Sequence, residues 1–121
     1  MTVEHLPPPD LCPVEPLSQV VFVHDYIQLV FQAQGFSIFN LAQVTHRGLT
    51  LTQGNPGFCD ALVSLIGCSV LQAHHCESYK LTLEFKNGES FFVPAAPAYV
   101  RGPEAFQYDG SNEYLVVEQN E

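Results

Sequence analysis

The chain has 121 residues, which is enough for one domain with a single hydrophobic core. Hydrophobic residues make up 46% of it and charged residues 14%, and this excludes a chain that is disordered throughout. Thirteen Asp and Glu against four Lys and Arg give a formal net charge of −9, so the basic surface that nucleic-acid binding requires is missing. A charge of this size keeps a small domain soluble and favours, at most, a basic protein as partner.

The distribution of apolar and cysteine residues indicates the compartment. No apolar run reaches the roughly 18 residues of a membrane span, and Met1 is followed closely by Glu4 in place of a basic and then apolar leader. We therefore expect a cytoplasmic protein that is neither secreted nor membrane-bound. Free thiols are expected in that compartment, and Cys59 with Cys68 is the one pair to test for a disulfide because the two bracket a short helix. The cysteines are Cys12, Cys59, Cys68 and Cys76.

Residues 1–17 form a distinct proline-rich segment that contains five of the nine prolines. Three consecutive prolines at positions 7–9 exclude a helix and favour an extended polyproline conformation. We predict an extended arm ahead of a single domain at residues 18–121. The arm is either a mobile or surface-laid segment or a strap against another subunit, in which case Leu6, Leu11 and Cys12 would make the contacts.

Two groups of strands and one helix follow in chain order. Residues 20–24 are a continuous β-branched and aromatic run, residues 26–32 alternate as a second strand, and residues 36–39 return after a turn marked by Gly35. A short strand at 48–52 precedes a helix predicted at about residues 56–66.

The helix prediction depends on local start and stop signals. Asn55 is placed as the N-cap, Pro56 as the first helical residue and Gly67 as the left-handed terminator. About three turns are too few for a stable isolated helix, so it must pack on a sheet. Cys59 falls within the apolar arc, which predicts a buried and inert thiol in spite of its position in the first turn.

The strongest pattern is the hairpin that follows the helix. Residues 79–86 alternate between apolar and polar, as in a half-buried strand, and residues 90–93 supply the return strand before Pro94 ends it. Asn87-Gly88 between them predicts a type I′ turn. Farther on, residues 104–108 and 114–117 read as a closing pair of strands, and the last residues are expected to fray.

The second group resembles the first at a separation of about 50 residues. Ile27, Leu29 and Phe31 match Leu81, Leu83 and Phe85; Gly35 matches Gly88; residues 37–39 match 90–92; and residues 20–24 match 70–74. We therefore predict an α+β fold, mainly antiparallel β, with two similar β-meanders and the short helix between them. The apolar faces of the two halves would build one core, within one chain or between two.

Several short motifs resemble a group of small uncharacterised bacterial domains. These domains share a Gly-ended helix, a strand–Asn/Asp-Gly–strand hairpin, and a G-P-E-A segment before a closing strand. The resemblance covers roughly residues 60–118; it implies a bacterial, cytoplasmic origin and the fold above, and it carries no activity, cofactor or catalytic residue. The matching stretches are residues 65–67, 81–85 with 87–88, 102–106 and 115–118.

Candidate chemistry centres on two places. On a strand, His74 and Cys76 would share one face, and a third metal ligand would have to come from Cys68 or His24. Because zinc needs three or four convergent ligands, we predict no metal site and no cofactor, and we keep His74 and Cys76 as candidate binding residues.

The second place is the segment around Gly102-Pro103. Tyr99, Arg101 and Glu104 are candidate binding residues there, with Arg101 and Glu104 either clamping a ligand or forming an exposed ion pair that fixes the loop. No phosphate-binding glycine loop, nucleophile elbow or H-E-x-x-H motif occurs in the chain, so no catalytic residue is predicted.

These observations favour a non-enzymatic binding or interaction module. One version is an acidic inhibitor of the immunity-protein kind that masks a basic toxin or nuclease; another class is a small-ligand-binding domain or enzyme with an aromatic-lined pocket. A homodimer is expected, because Phe91 and Phe92, like Ile38 and Phe39, are adjacent and cannot both face one core.

Overall fold

The computed structural model describes residues 11–110 and 115–120, which form ten β-strands and one α-helix. The first half contains β1 (Gln19–Val23), β2 (Tyr26–Phe31), β3 (Gln34–Ile38), β4 (Gln43–His46), β5 (Leu49–Thr52) and α1 (Phe58–Val63). The second half contains β6 (Val70–His74), β7 (Tyr79–Phe85), β8 (Ser90–Pro94), a 3-10 turn (Pro97–Tyr99), β9 (Glu104–Asp109) and β10 (Leu115–Gln119). In the described residues, no helix is long and apolar enough to cross a membrane.

The strands form two antiparallel five-stranded sheets around one core. The first sheet has the order β1-β2-β3-β9-β10 and the second has the order β5-β4-β8-β7-β6. Each sheet therefore combines a three-strand meander from one half of the chain with a two-strand hairpin from the other half. The hairpin β4-β5 follows β3 along the chain but pairs with β8, and the hairpin β9-β10 follows β8 but pairs with β3. The prediction of a mainly antiparallel β fold with one short helix is confirmed.

Alternation along the central strands builds the core. In the first sheet Ile27 lies opposite Ile38 and Leu29 opposite Phe36. In the second sheet Leu81 lies opposite Val93 and Leu83 opposite Phe91. All eight side chains are buried and belong to one hydrophobic cluster, each contributing about 1.5–3 kcal/mol by leaving water.

Both crossings between the sheets lie at one end of the sandwich. Residues 39–42 join β3 to β4, and residues 95–103 join β8 to β9. The two connections contact each other, since the amide N–H groups of Phe39 and Asn40 donate to the Ala105 carbonyl and that of Leu41 donates to the Tyr99 carbonyl. We call this the crossover end; the turns at 32–33, 47–48 and 86–88 lie at the opposite, hairpin end.

The helix is shorter than predicted. It spans Phe58–Val63 and not residues 56–66, and its N-cap is Gly57, at φ 89°. Asn55 does not cap it: its Oδ1 accepts the Thr52 N–H at 2.9 Å and closes the turn after β5. A local hydrogen bond that competes with helix start is a general property of Asn, so the Asn55-Pro56 prediction was wrong. Gly67 has the predicted left-handed conformation, at φ 96°.

Two turn predictions also need correction. Gly88 has φ 94°, but Asn87 does not have a positive φ, so the β7-β8 turn is not type I′. Phe85 instead pairs with Glu89 across a three-residue loop that ends in the left-handed Gly88, and three-residue loops are the next most common hairpin connection. In the first meander the turn falls at Gln32, with φ 64°, whereas Gly35 lies inside β3 opposite Val30.

Strand β4 was not predicted from the sequence. β4 carries a single buried apolar residue, Val44, which gives no alternation to read. It is held to the second sheet partly by Glu89, whose carboxylate accepts the Thr45 hydroxyl at 2.8 Å and the Arg47 N–H at 3.1 Å. The hydrogen bond from the Arg47 amide, and then that from Thr45, hold the pKa of Glu89 below its usual range.

Residues 11–18 pack on the domain that they precede. Leu11 and Leu17 are buried in the core of the same chain. The Leu17 N–H donates to the Cys68 carbonyl and the Leu17 carbonyl accepts from Gly67, so this stretch runs beside the segment that leads into β6. Cys12 is partly buried and packs against the same core. Leu6, the third contact expected of a strap, lies outside the described residues, and the boundary at residue 17 stays a prediction.

Candidate functional site

A pocket at the crossover end brings together parts of the chain that are distant in sequence. It has a volume of about 240 Å³. Asp25 enters from the β1-β2 turn and Phe39 from the end of β3, while residues 101–104 form the remaining wall. Arg101 and Glu104, two of the predicted binding residues, therefore lie in one pocket.

In the described part of the chain, the charged side chains of this pocket form no ion pairs. Within residues 11–110 and 115–120, neither Asp25 nor Glu104 makes an ion pair or a side-chain hydrogen bond, and Arg101 forms no ion pair. The predicted Arg101–Glu104 ion pair that would fix the loop is thus not formed, although both residues line the same cavity. Two carboxylates and one guanidinium remain available to a ligand.

One wall of the pocket is aromatic. Phe39 is half-buried, and its ring packs against Tyr26 with a centroid separation of 5.8 Å and an angle of 46°. In the second half, Tyr79 packs against Phe92 in the same way, at 4.8 Å and 33°. These two contacts cover outward-facing phenylalanines with tyrosines of the same chain, so the reason given for a homodimer is weaker than the sequence indicated. The homodimer itself stays a prediction.

A pair of side-chain amides, from the buried Asn40 and the partly buried Asn120, holds the loop that carries Arg101 and Glu104. Asn40 is 1% exposed and donates through Nδ2 to the Pro94 carbonyl at 3.0 Å and to Asn120 Oδ1 at 2.9 Å, while its Oδ1 accepts Asn120 Nδ2 at 2.8 Å. Asn120 also donates through Nδ2 to the Gly102 carbonyl at 2.8 Å and through its backbone N–H to the Pro103 carbonyl at 2.8 Å. The expected fraying of Gln119 and Asn120 is therefore wrong, because Gln119 ends β10 and Asn120 anchors this loop.

Tyr99, the third predicted residue of this segment, does not line the pocket. It ends the 3-10 turn, its carbonyl accepts the Leu41 N–H, and its hydroxyl accepts Gln43 Nε2 at 3.3 Å. These bonds join the two crossings. Tyr99 therefore has a structural role beside the pocket.

A second and larger groove, of about 460 Å³, lies at the same end between the β6-β7 turn and β10. His75, Cys76 and Glu77 all line it, with Lys80 and Glu118 completing the wall. The prediction that His74 and Cys76 share one strand face was wrong, because β6 ends at His74 and the residues beyond it form the turn that lines this groove. Lys80 Nζ lies 3.9 Å from Glu118 Oε2 and links the two sheets.

His74 is directed elsewhere. Its Nε2 lies 2.9 Å from Glu84 Oε2 on the neighbouring strand, and Glu84 Oε1 accepts Gln72 Nε2 at 2.9 Å. The hydrogen bond from His74, followed by that from Gln72, lowers the pKa of Glu84. His74 and Cys76 thus do not converge. Among the described residues, no group of three or more His, Cys, Asp and Glu is placed to hold a metal ion.

The thiols are free but not all buried. Cys59 is exposed, contrary to the prediction of a buried residue, because the core face of α1 is formed by Phe58, Ala61 and Leu62. Cys76 is also exposed, whereas Cys12 and Cys68 are partly buried. Cys59 and Cys68 are not bonded to each other.

Comparison with protein-family models, curated proteins and solved structures finds no match for this chain. The resemblance to small bacterial domains stays a prediction. The function of the protein is therefore inferred from the geometry of the two pockets.

Three residues that shape the first pocket were not found from the sequence: Asp25, Phe39 and Asn40. Asp25 follows a strand as an ordinary turn residue, and Asn40 is a lone polar residue after an apolar run. The signal that could have pointed to Phe39 was its adjacency to Ile38, which requires one of the two side chains to face away from the core.

Proposed function

We propose that the protein is a non-enzymatic binding module whose crossover end docks a basic partner protein. The observation that carries this proposal is the pocket in which Asp25 and Glu104, which form no ion pair within the described residues, lie beside an aromatic wall. Carboxylates next to an aromatic ring are a suitable environment for an arginine or lysine side chain, since ion pairing and cation–π attraction then act together.

The overall charge supports the same class of partner. A chain with formal charge −9 attracts cationic proteins and raises the rate of encounter at low salt. An acidic inhibitor that masks a basic toxin or nuclease is one version of this function. Its signature would be tight binding that weakens steeply with added salt.

The second groove supports a different candidate, a small enzyme or ligand-binding domain. There a thiol, an imidazole and a carboxylate, from Cys76, His75 and Glu77, line one cavity. A thiol nucleophile needs a base within hydrogen-bond reach, and in the described residues no hydrogen bond joins Cys76 to His75. We therefore place the binding module first.

The test is a titration of the isotope-labelled full chain with a blocked peptide of alternating arginine and glycine, followed by amide chemical shifts. We expect the shifts to concentrate at the crossover end. Asp25→Asn and Glu104→Gln should each weaken binding about two- to five-fold, the effect of an exposed ion pair. Asp109→Asn removes the same charge at the hairpin end and is the matched control. Equal weakening by all three variants would show non-specific attraction and would refute the proposal.

We also propose that the two halves are structural repeats that have exchanged their hairpins. Each half has a three-strand meander followed by a hairpin, and each hairpin completes the sheet of the other half. The buried sets Ile27, Leu29, Phe31 and Leu81, Leu83, Phe85 occupy the same places in β2 and β7, which supports the proposal. The third strands correspond with a different offset from the one expected, because Phe36, and not Ile38, takes the place of Phe91.

The predicted homodimer is tested separately by light scattering at micromolar concentration. A molar mass of twice 13.4 kDa would support it. A value near 13.4 kDa would leave the binding module as a monomer.

A further inference from the structure

The pocket at the crossover end carries side chains of both charges. Arg101 lines the same cavity as Asp25 and Glu104, so a ligand that carried only positive charge would meet repulsion as well as attraction. The formal charges of Asp25, Glu104 and Arg101 sum to −1. A ligand that complements these side chains carries both a positively and a negatively charged group. This mixed pattern narrows the class of ligand.

The aromatic wall and the volume of the pocket limit the class of ligand further. A cavity of about 240 Å³ holds a single amino-acid side chain with its backbone atoms, not a folded segment. Phe39 offers apolar surface to an aliphatic stem and π-electrons to a cationic head.

The pocket is also pre-organised. The carbonyls of Gly102 and Pro103 are held by Asn120, which is held in turn by the buried Asn40, so the chain between Arg101 and Glu104 is fixed on its inner side. The backbone of this wall is therefore ordered before a ligand binds, which removes part of the entropic cost of binding.

We propose that this pocket binds a basic amino-acid residue together with its free carboxylate. The side-chain cation lies against Phe39 near Asp25 and Glu104, and the carboxylate pairs with Arg101. The inference rests on the proposed binding function and names the chemical group that the pocket recognises. Two sources supply this chemistry: a free basic amino acid and the carboxyl terminus of a partner chain that ends in arginine or lysine.

The experiment compares N-acetyl-arginine with N-acetyl-arginine amide on the isotope-labelled full chain, with the amide signals of Asp25, Gly102 and Glu104 as the readout. The two probes differ only in the carboxylate. We expect N-acetyl-arginine to bind about two- to five-fold more tightly, as for an exposed ion pair. Arg101→Gln should abolish that ratio, and Asp25→Asn should weaken both probes alike.

A matched control isolates the role of Arg101. Arg47→Gln removes a guanidinium that is also exposed but lies at the hairpin end, and it should leave the ratio unchanged. Equal affinity for the two probes in the unmodified protein would overturn the proposal, as would a ratio that survives Arg101→Gln. Both arginines are exposed, so both variants should keep a dispersed spectrum.

Two further arms identify the source and separate this inference from the proposed function. Tighter binding of free arginine than of an acetylated Gly-Gly-Arg peptide assigns the free amino acid, and the reverse order assigns a chain terminus. If neither N-acetyl probe shifts the pocket while the arginine–glycine peptide still shifts the crossover end, the present inference alone is wrong. If no probe binds there, the proposed function is wrong as well.

Discussion

Replacing Asn40 by alanine is expected to destabilise the domain far more than removal of an ordinary surface amide. Asn40 is 1% exposed, and its side chain takes part in three hydrogen bonds, to the Pro94 carbonyl and reciprocally to Asn120. Deleting this side chain leaves the Pro94 carbonyl without this partner and removes two of the three hydrogen bonds of the Asn120 side-chain amide. Each buried group left unsatisfied costs about 1–3 kcal/mol.

The expected loss in the free energy of unfolding is about 2–4 kcal/mol. This is less than the sum of two full penalties, since Asn120 is half-exposed and water can replace part of what it loses. It remains a large share of the roughly 5–15 kcal/mol that holds a domain folded. Urea unfolding followed by circular dichroism measures it, and at about 3–5 °C per kcal/mol the melting temperature should fall by roughly 6–20 °C.

Asn87→Ala is the matched control for this prediction. Asn87 is exposed and accepts one backbone hydrogen bond, from Glu89 at 3.0 Å, so its removal should cost less than about 1 kcal/mol. If Asn40→Ala and Asn87→Ala differ by less than about 0.5 kcal/mol, the amide pair does not support the crossover end, and the reasoning is refuted.

Three further perturbations test separate parts of the structure. The pKa of Glu89 is lower in the folded state than in the unfolded chain. Glu89 therefore stabilises the fold above about pH 4.3, and this contribution is lost as the pH falls through the folded-state pKa. In urea titrations at a series of pH values, the free energy of unfolding of the Glu89→Gln variant should therefore fall less steeply towards acid pH than that of the unmodified protein. Gly88→Ala should cost about 1–2 kcal/mol in urea unfolding because φ is +94°, whereas Gly102→Ala, with equal space and no positive φ, should change stability by less than about 0.5 kcal/mol. In a thiol-reagent time course the exposed Cys76 should react early and Cys12 last, because burial shields the Cys12 thiol and raises its pKa.

Each of these predictions has a contradicting result. An acid limb that is unchanged in the Glu89 variant would mean that its hydrogen bonds persist in the unfolded chain or contribute nothing. Equal costs at Gly88 and Gly102 would show that the turn relaxes without strain. Early reaction of Cys12 would show that the segment at 11–18 opens readily from the core.

The central hairpin could be predicted because its information is local. Residues 79–85 alternate over a full strand and a glycine closes the turn, so β7 and β8 begin and end close to where the pattern placed them. Only the turn type failed, because an Asn-Gly pair also fits a three-residue loop. The helix was predicted to be too long for a related reason. The side chain of Asn55 is of a type that often caps helices, but here it accepts the Thr52 N–H in the turn after β5.

The sheet order could not be predicted, because nothing local marks an exchange of hairpins. Strands that follow one another in a chain usually pair, and that rule would place β4 beside β3. The four residues at 39–42 instead carry the chain to the other sheet. For the same reason the sequence connected Arg101 with Glu104, three positions apart, but not with Asp25 or Phe39, which the fold brings to them from the other half.

The pairing of each hairpin with the meander of the other half also affects how the chain can be synthesised. The strands of the first sheet lie within residues 19–38, 104–109 and 115–119, so when the N-terminal meander leaves the ribosome the strand that completes the sheet has not yet been made. The outer edge of β3 then presents unpaired backbone groups to solvent and to other nascent chains, the situation in which strand edges recruit wrong partners. Contacts between such distant segments also slow folding. A protein built this way depends on dilution or chaperone protection during translation more than a sandwich whose sheets close in chain order.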